Sequence, residues 1–145
     1  MTVQARRDKE RMILSDVMDL LIPPIDDLPG AGAMGLASEV ASLASRHEPY
    51  DRALSTFIQK LEINWSAQVM DLQKRALLQD LEATDGATFN AVLELVYLAY
   101  YGDPRVHRRV GWRGGPLQPK GFPLPPFNPE SLHTIRERRP FWRQT

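Results

Sequence analysis

The 145-residue chain contains no cysteine. That absence excludes a disulfide framework, a thiolate metal site, a cysteine nucleophile and any covalent link to a partner through sulfur. Long hydrophobic runs are missing as well: no apolar stretch approaches the roughly 18 residues a membrane helix needs, so the chain reads as soluble. An export signal is also not found. Arg6-Arg7 is a twin arginine, but Asp8, Lys9, Glu10 and Arg11 follow at once, and the apolar residues beyond are broken by Ser15, Asp16 and Asp19 where a leader needs an uninterrupted apolar segment. A cytoplasmic location is therefore expected.

Net charge is zero, yet its distribution is uneven. Residues 1–101 hold nine basic and fifteen acidic side chains, a balance of −6, while residues 102–145 hold nine basic and three acidic, a balance of +6. A basic tail of this kind reads as a nucleic-acid arm, as the complement of an acidic protein surface, or as a strap on its own acidic body. Trp112, Leu117, Phe122, Leu124, Phe127, Leu132, Ile135 and Phe141 lie within it. Such side chains suit dry packing better than phosphate contact.

A chain of this length fits one domain that removes roughly 70% of its unfolded surface from water. The pattern along it is helical. Met12, Ile13, Val17, Leu20 and Leu21 recur at helical spacing over about Val3–Ile22, and Pro23-Pro24 stops that helix. A second, Ala- and Ser-rich helix is expected over Ala33–Arg46. Leu54, Phe57, Ile58 and Leu61 define a third over Tyr50–Leu61, with Pro49 opening it. Residues 63–69 are ambiguous, and Asp71 is the expected N-cap of a fourth helix through Leu81.

Phe89–Tyr101, started by Thr88, is apolar almost all round, which places it centrally in a bundle or under a second cover. The adjoining tail is the obvious candidate for that cover. Between Gly102 and Pro129 stand five glycines and seven prolines in 28 residues, a composition expected to forbid regular helix and sheet interior alike. Asn128 or Ser131 then begins a short closing helix through Arg138. The expected fold is all-α: a small bundle of about five helices, body 1–101, with a Gly/Pro-rich irregular C-terminal strap, 102–145, in one domain overall.

Several motifs suggest chemistry and fail on context. Gly30–Gly35, GAGAMG, matches the dinucleotide fingerprint by letter, but that fingerprint works at a strand-to-helix turn. Pro23-Pro24-Ile25-Asp26-Asp27-Leu28-Pro29 precedes it and cannot be a central strand. A Gly/Ala-rich turn into the second helix is expected instead. His47, His107 and His133 are too scattered for a local metal-ligand pair. Ser15, Ser38, Ser42, Ser45, Ser55 and Ser66 lack a paired base, so no catalytic constellation is read. Pro116-Leu-Gln-Pro119 and Pro123-Leu-Pro-Pro126 can adopt polyproline II. With Trp112, Phe122, Phe127, Phe141 and Trp142 around them, they read as an ordered strap anchored by aromatic side chains.

Leu20-Leu21-Ile22-Pro23 closing the first helix, Pro29-Gly30-Ala31 after it, Tyr100-Tyr101-Gly102-Asp103-Pro104, then Gly111-Trp112, Pro116, Pro119 and Gly121 together resemble the gluconate 2-dehydrogenase subunit 3 family. The resemblance implies a non-catalytic helical small (gamma) subunit that binds and stabilises, or helps mature, a large FAD-dependent sugar or polyol dehydrogenase of the glucose-methanol-choline (GMC) family. FAD would sit in the partner, no cofactor or metal in this chain, and a cytochrome c subunit could be a third member. Many members of that family carry a twin-arginine signal; this sequence departs from them there, so periplasmic export with the partner stands as the alternative location. Tyr100, Tyr101, Arg109, Trp112, Arg113, Phe122, Phe127, Phe141 and Trp142 are the expected partner-binding residues. A regulatory or nucleic-acid-binding protein using Arg105, Arg108, Arg109 and Arg113 is the rival reading.

Overall fold

The structure is a computed structural model that describes residues 3–115, 121, 126–130, 132, 133 and 137. The fold is all-α. Six named helices follow in order among the described residues: α1 (Val3–Leu21), α2 (Ala37–Ala44), α3 (Glu48–Glu62), α4 (Asp71–Thr84), α5 (Gly86–Gly102) and α6 (Pro104–Arg109). Among the described residues there is no strand, only an isolated bridge between Ile25 and Leu28. No helix among them is long and apolar enough to cross a membrane.

α5 is the central element. It packs against α3, α2, α4 and α6, while α1 packs against α3 and α2. The core draws Ile13, Val17 and Met18 from α1, Val40 from α2, Phe57 from α3, and Val92, Leu95 and Val96 from α5, all essentially without exposure. Burying each such side chain stabilises the fold by roughly 1.5–3 kcal/mol. Phe57 and Phe89 join α3 to α5 with ring centroids 6.3 Å apart.

Element ends differ from the sequence expectation in ways the caps explain. α5 begins at Gly86, two residues before Thr88, because Asp85 is its N-cap and accepts a hydrogen bond from the Thr88 N–H at 3.3 Å. The same Asp85 separates α4 from α5 and takes the Lys60 ammonium at 2.6 Å. Its pKa is lowered, first by the Lys60 hydrogen bond and then by Thr88. α4 starts at Asp71 as its first residue rather than its cap, with Met70 in the cap position and no side-chain cap bond. α2 is shorter than Ala33–Arg46, since residues 31–36 form turns.

The composition beyond Gly102 does not exclude a helix. α6 lies there, with Asp103 as N-cap and Pro104 in its first turn, where proline's missing N–H costs nothing and its fixed φ suits the helix. A 28-residue count of glycine and proline averages over this six-residue element and hides it. Val106 of α6 is buried, 2% exposed, in the common core.

GAGAMG is a turn, and its glycines have a definite task. A Cβ on Gly32 would lie 1.9 Å from the Ser15 carbonyl oxygen, and one on Gly30 would lie 2.2 Å from Asp19 Oδ1. The Ala33 N–H donates to Asp19 Oδ1 at 3.0 Å. The anion held by this glycine turn is the chain's own α1 carboxylate, so the turn pins the loop to α1.

Two compact units divide the chain, Met1–Arg113 and Gly114–Thr145. In the second, the Glu130 N–H donates to Asn128 Oδ1 at 3.0 Å, and Leu132 and His133 are helical. The remaining residues of the expected closing helix through Arg138 lie, Glu137 apart, mostly outside the described residues.

Candidate docking face on α5 and α6

One side of α5 supplies the core through Phe89, Val92, Leu95, Val96, Ala99 and Tyr100. The opposite side stays apolar but open: Tyr97 is 44%, Leu98 54% and Tyr101 59% exposed. These three, with Leu93, Glu94 and Trp112, line a shallow groove. Residues four apart stack on a helix surface, so Asn90, Glu94 and Leu98 form one ridge and Leu93, Tyr97 and Tyr101 the next. Tyr97 and Tyr101 lie with centroids 6.1 Å apart.

Trp112 is brought beside these ridges by the end of α6. Gly111, at φ 75°, is in the left-handed conformation that glycine adopts without penalty. Its N–H donates to the Arg108 carbonyl at 3.2 Å, and the Trp112 N–H donates to the His107 carbonyl at 2.9 Å. This pair of bonds is a Schellman ending. Trp112 then meets the His107 ring edge-on, at 4.2 Å between centroids and 84° between planes. His107 Nε2 lies 2.5 Å from the Tyr101 carbonyl oxygen. A carbonyl can only accept, so Nε2 carries the proton in this contact.

Polar side chains interrupt the apolar lining of the groove. At one end Glu94 Oε2 accepts from the Tyr50 hydroxyl at 2.7 Å; that bond, with some burial and the carboxylate charge, raises the Tyr50 pKa. At the other end stands His107.

The Tyr-Tyr-Gly-Asp-Pro motif organises this end of the molecule. Asp103 caps α6 through the Arg105 N–H at 2.7 Å and takes the Arg105 guanidinium in two further bonds of 2.9 and 2.8 Å. Arg105 also donates to the Met34 carbonyl at 3.0 Å. Those Arg105 bonds, its side-chain hydrogen bond first, lower the Asp103 pKa against the burial that raises it. Arg109 pairs with Asp26 and, at 3.3 Å, with Asp27. Asp26 has φ 50°, a left-handed turn that aspartate tolerates.

Of the expected partner-binding residues, Tyr101 and Trp112 share the face, and Arg113, which follows Trp112 in the chain, is exposed. Tyr100 is buried, 7% exposed, and meets Tyr101 edge-on at 5.2 Å; its side chain serves the core. Arg109 is exposed but engaged by the acidic loop. Phe127 is exposed in the second unit. Phe122, Phe141 and Trp142 lie outside the described residues. Leu93, Tyr97 and Leu98 were not among the expected residues, although the all-round apolar character of their helix was a signal for them. His107 had no such signal, since its part depends on the Schellman turn. His47 sits before α3, its ring 6.5 Å from that of Tyr50.

Comparison with protein-family models, with curated proteins and with solved structures finds no match to this chain.

Proposed function

We propose that this chain is a non-catalytic small subunit that docks on a large FAD-dependent GMC-family dehydrogenase acting on a sugar or polyol, and stabilises it or helps it mature. One observation carries the reading. An exposed apolar and aromatic face lies on the central helix and ends at Tyr101, Gly102 and Trp112, within the segment in which the resemblance to gluconate 2-dehydrogenase subunit 3 is most distinctive. Aromatic side chains that close on a partner are the usual anchors of such contacts. FAD belongs to the partner on this reading, and a cytochrome c subunit is a possible third member. The complex is assigned to the cytoplasm, with periplasmic export alongside the partner as the alternative. Nucleic-acid binding through the α6 arginines is the weaker reading, because Arg105 and Arg109 already hold the carboxylates of Asp103 and Asp26.

Co-expression with the host's GMC-family flavoprotein tests it. The tagged chain is expected to retain soluble, flavin-loaded dehydrogenase, and Trp112→Ala or Tyr97→Glu to weaken that retention about 30-fold, the scale of a lost anchor. If the chain purifies as a stable monomer, and the flavoprotein neither binds it nor gains flavin or solubility from it, the assignment fails.

A further inference from the structure

A cavity of about 390 Å³ opens where α1, α2 and α3 meet, sharing no lining residue with the α5 groove. Its size falls within the roughly 300–1,000 Å³ of small-molecule sites. All three helices give it apolar lining: Leu14 from α1, Ala37 and Ala41 from α2, Leu54 and Ile58 from α3. Leu14, Ala37 and Ile58 are buried and Leu54 is partly so. They form a floor on which an apolar body would be taken out of water.

Arg7 and Arg11 line the same cavity, one turn apart on the α1 face that carries Leu14. Neither is engaged. Among the described residues Arg6 pairs with Glu10, whereas Arg7 and Arg11 make no side-chain hydrogen bond or ion pair. Like charges four residues apart weaken a helix, so α1 gains nothing from this pair by itself. Two unpaired guanidiniums above an apolar floor fit a carboxylate, whose oxygens accept from the parallel N–H donors of the fork. Asp51 lines the cavity too, so three arginines against Glu10 and Asp51 leave a balance of +1. That balance suits one negative charge and disfavours two.

We infer that this cavity binds a small amphipathic monocarboxylate, of the class of a medium-chain fatty acid, with its carboxylate on Arg7 and Arg11 and its chain on Leu14, Leu54 and Ile58. The inference goes beyond the dehydrogenase-subunit reading and does not rest on it.

Octanoate is the probe, titrated into the full chain by calorimetry. Saturable binding is expected, with a Kd of about 0.1–1 mM. Arg7→Gln and Arg11→Gln should each weaken it about fivefold or more, while Arg46→Gln, at an exposed arginine outside the cavity, leaves it unchanged. Ala41→Trp, which fills the cavity from an exposed position on α2, should abolish binding with the far-ultraviolet circular dichroism unchanged. Acetate should bind at least about tenfold more weakly for want of a chain, and octylamine should not compete. Absence of saturable octanoate binding, or undiminished binding by a folded Ala41→Trp chain, overturns the site. Undiminished binding by both arginine variants, or equal affinity for octylamine, overturns carboxylate recognition, and equal affinity for acetate overturns the role of the apolar floor. Each measurement concerns this chain alone, so flavoprotein retention tests the other reading separately.

Discussion

At the scale of single residues, the glycines of GAGAMG are instructive because letters and geometry part company. Gly32 touches the Ser15 carbonyl and Gly30 touches Asp19, whereas Gly86 has nothing within 4 Å of where a Cβ would stand. The two classes should respond oppositely to the same change. Gly32→Ala is expected to cost roughly 3 kcal/mol, since backbone must move to relieve the overlap. Gly86→Ala should be neutral or stabilising by about 0.5 kcal/mol, through a less flexible unfolded chain. Urea denaturation of the two variants measures both, and a Gly32→Ala protein as stable as the parent would remove the close approach. That GAGAMG was a turn and no nucleotide site was legible from Pro23-Pro24 and Pro29 before it. That its task is to receive Asp19 was not, because the contact joins residues that sequence spacing alone does not pair.

Among the elements, α1, α3 and α5 were readable from their apolar residues; the core of α3, Phe57, Ile58 and Leu61, follows the expected stripe, whereas in α1 Met12 is exposed and Leu14 and Met18, outside that stripe, are buried. α6 was not readable, since its six residues carry a single buried apolar side chain, Val106, and no periodicity can be seen in one. The attachment of α4 to α1 was equally hidden, because it is polar. Lys74, its side chain 9% exposed, donates to Asp16 Oδ2 at 2.7 Å; Trp65 Nε1 donates to the same oxygen at 3.2 Å. Lys74 also lies 5.4 Å from the centre of the Trp65 ring. Removing one partner strands the other: Asp16→Ala should destabilise by about 2–3 kcal/mol, at the low end for a buried pair because Asp16 is partly open to water. Asp16→Leu combined with Lys74→Met should recover at least half of that in thermal denaturation. If the double variant is no better than Asp16→Ala, the cost lies in packing and not in the uncompensated lysine.

For the whole molecule, the opposed charges of body and tail region are partly spent internally, since Arg109 clasps Asp26 and Asp27, while Arg105 clasps its near neighbour Asp103. Asp103 and Asp85 both have lowered pKa values, through hydrogen bonds from Arg105 and from Lys60 respectively. A carboxyl lowered in the folded state contributes stability that is complete above its unfolded pKa of about 4 and is lost as the pH falls through the lower folded value. Melting temperature is therefore expected to be level from about pH 6 to 8 and to fall below about pH 4, less steeply in Asp103→Asn; a melting temperature that rises on acidification would contradict it. The clasp also decides where the chain can be divided. A fragment ended at residue 101, where the composition changes, would lose Val106 from the core and leave Asp26, Asp27 and the Met34 carbonyl without their arginines. One ended at Arg113 keeps the whole body. The natural seam for making fragments, fusions or insertions thus lies a dozen residues beyond the place where the alphabet of the sequence shifts.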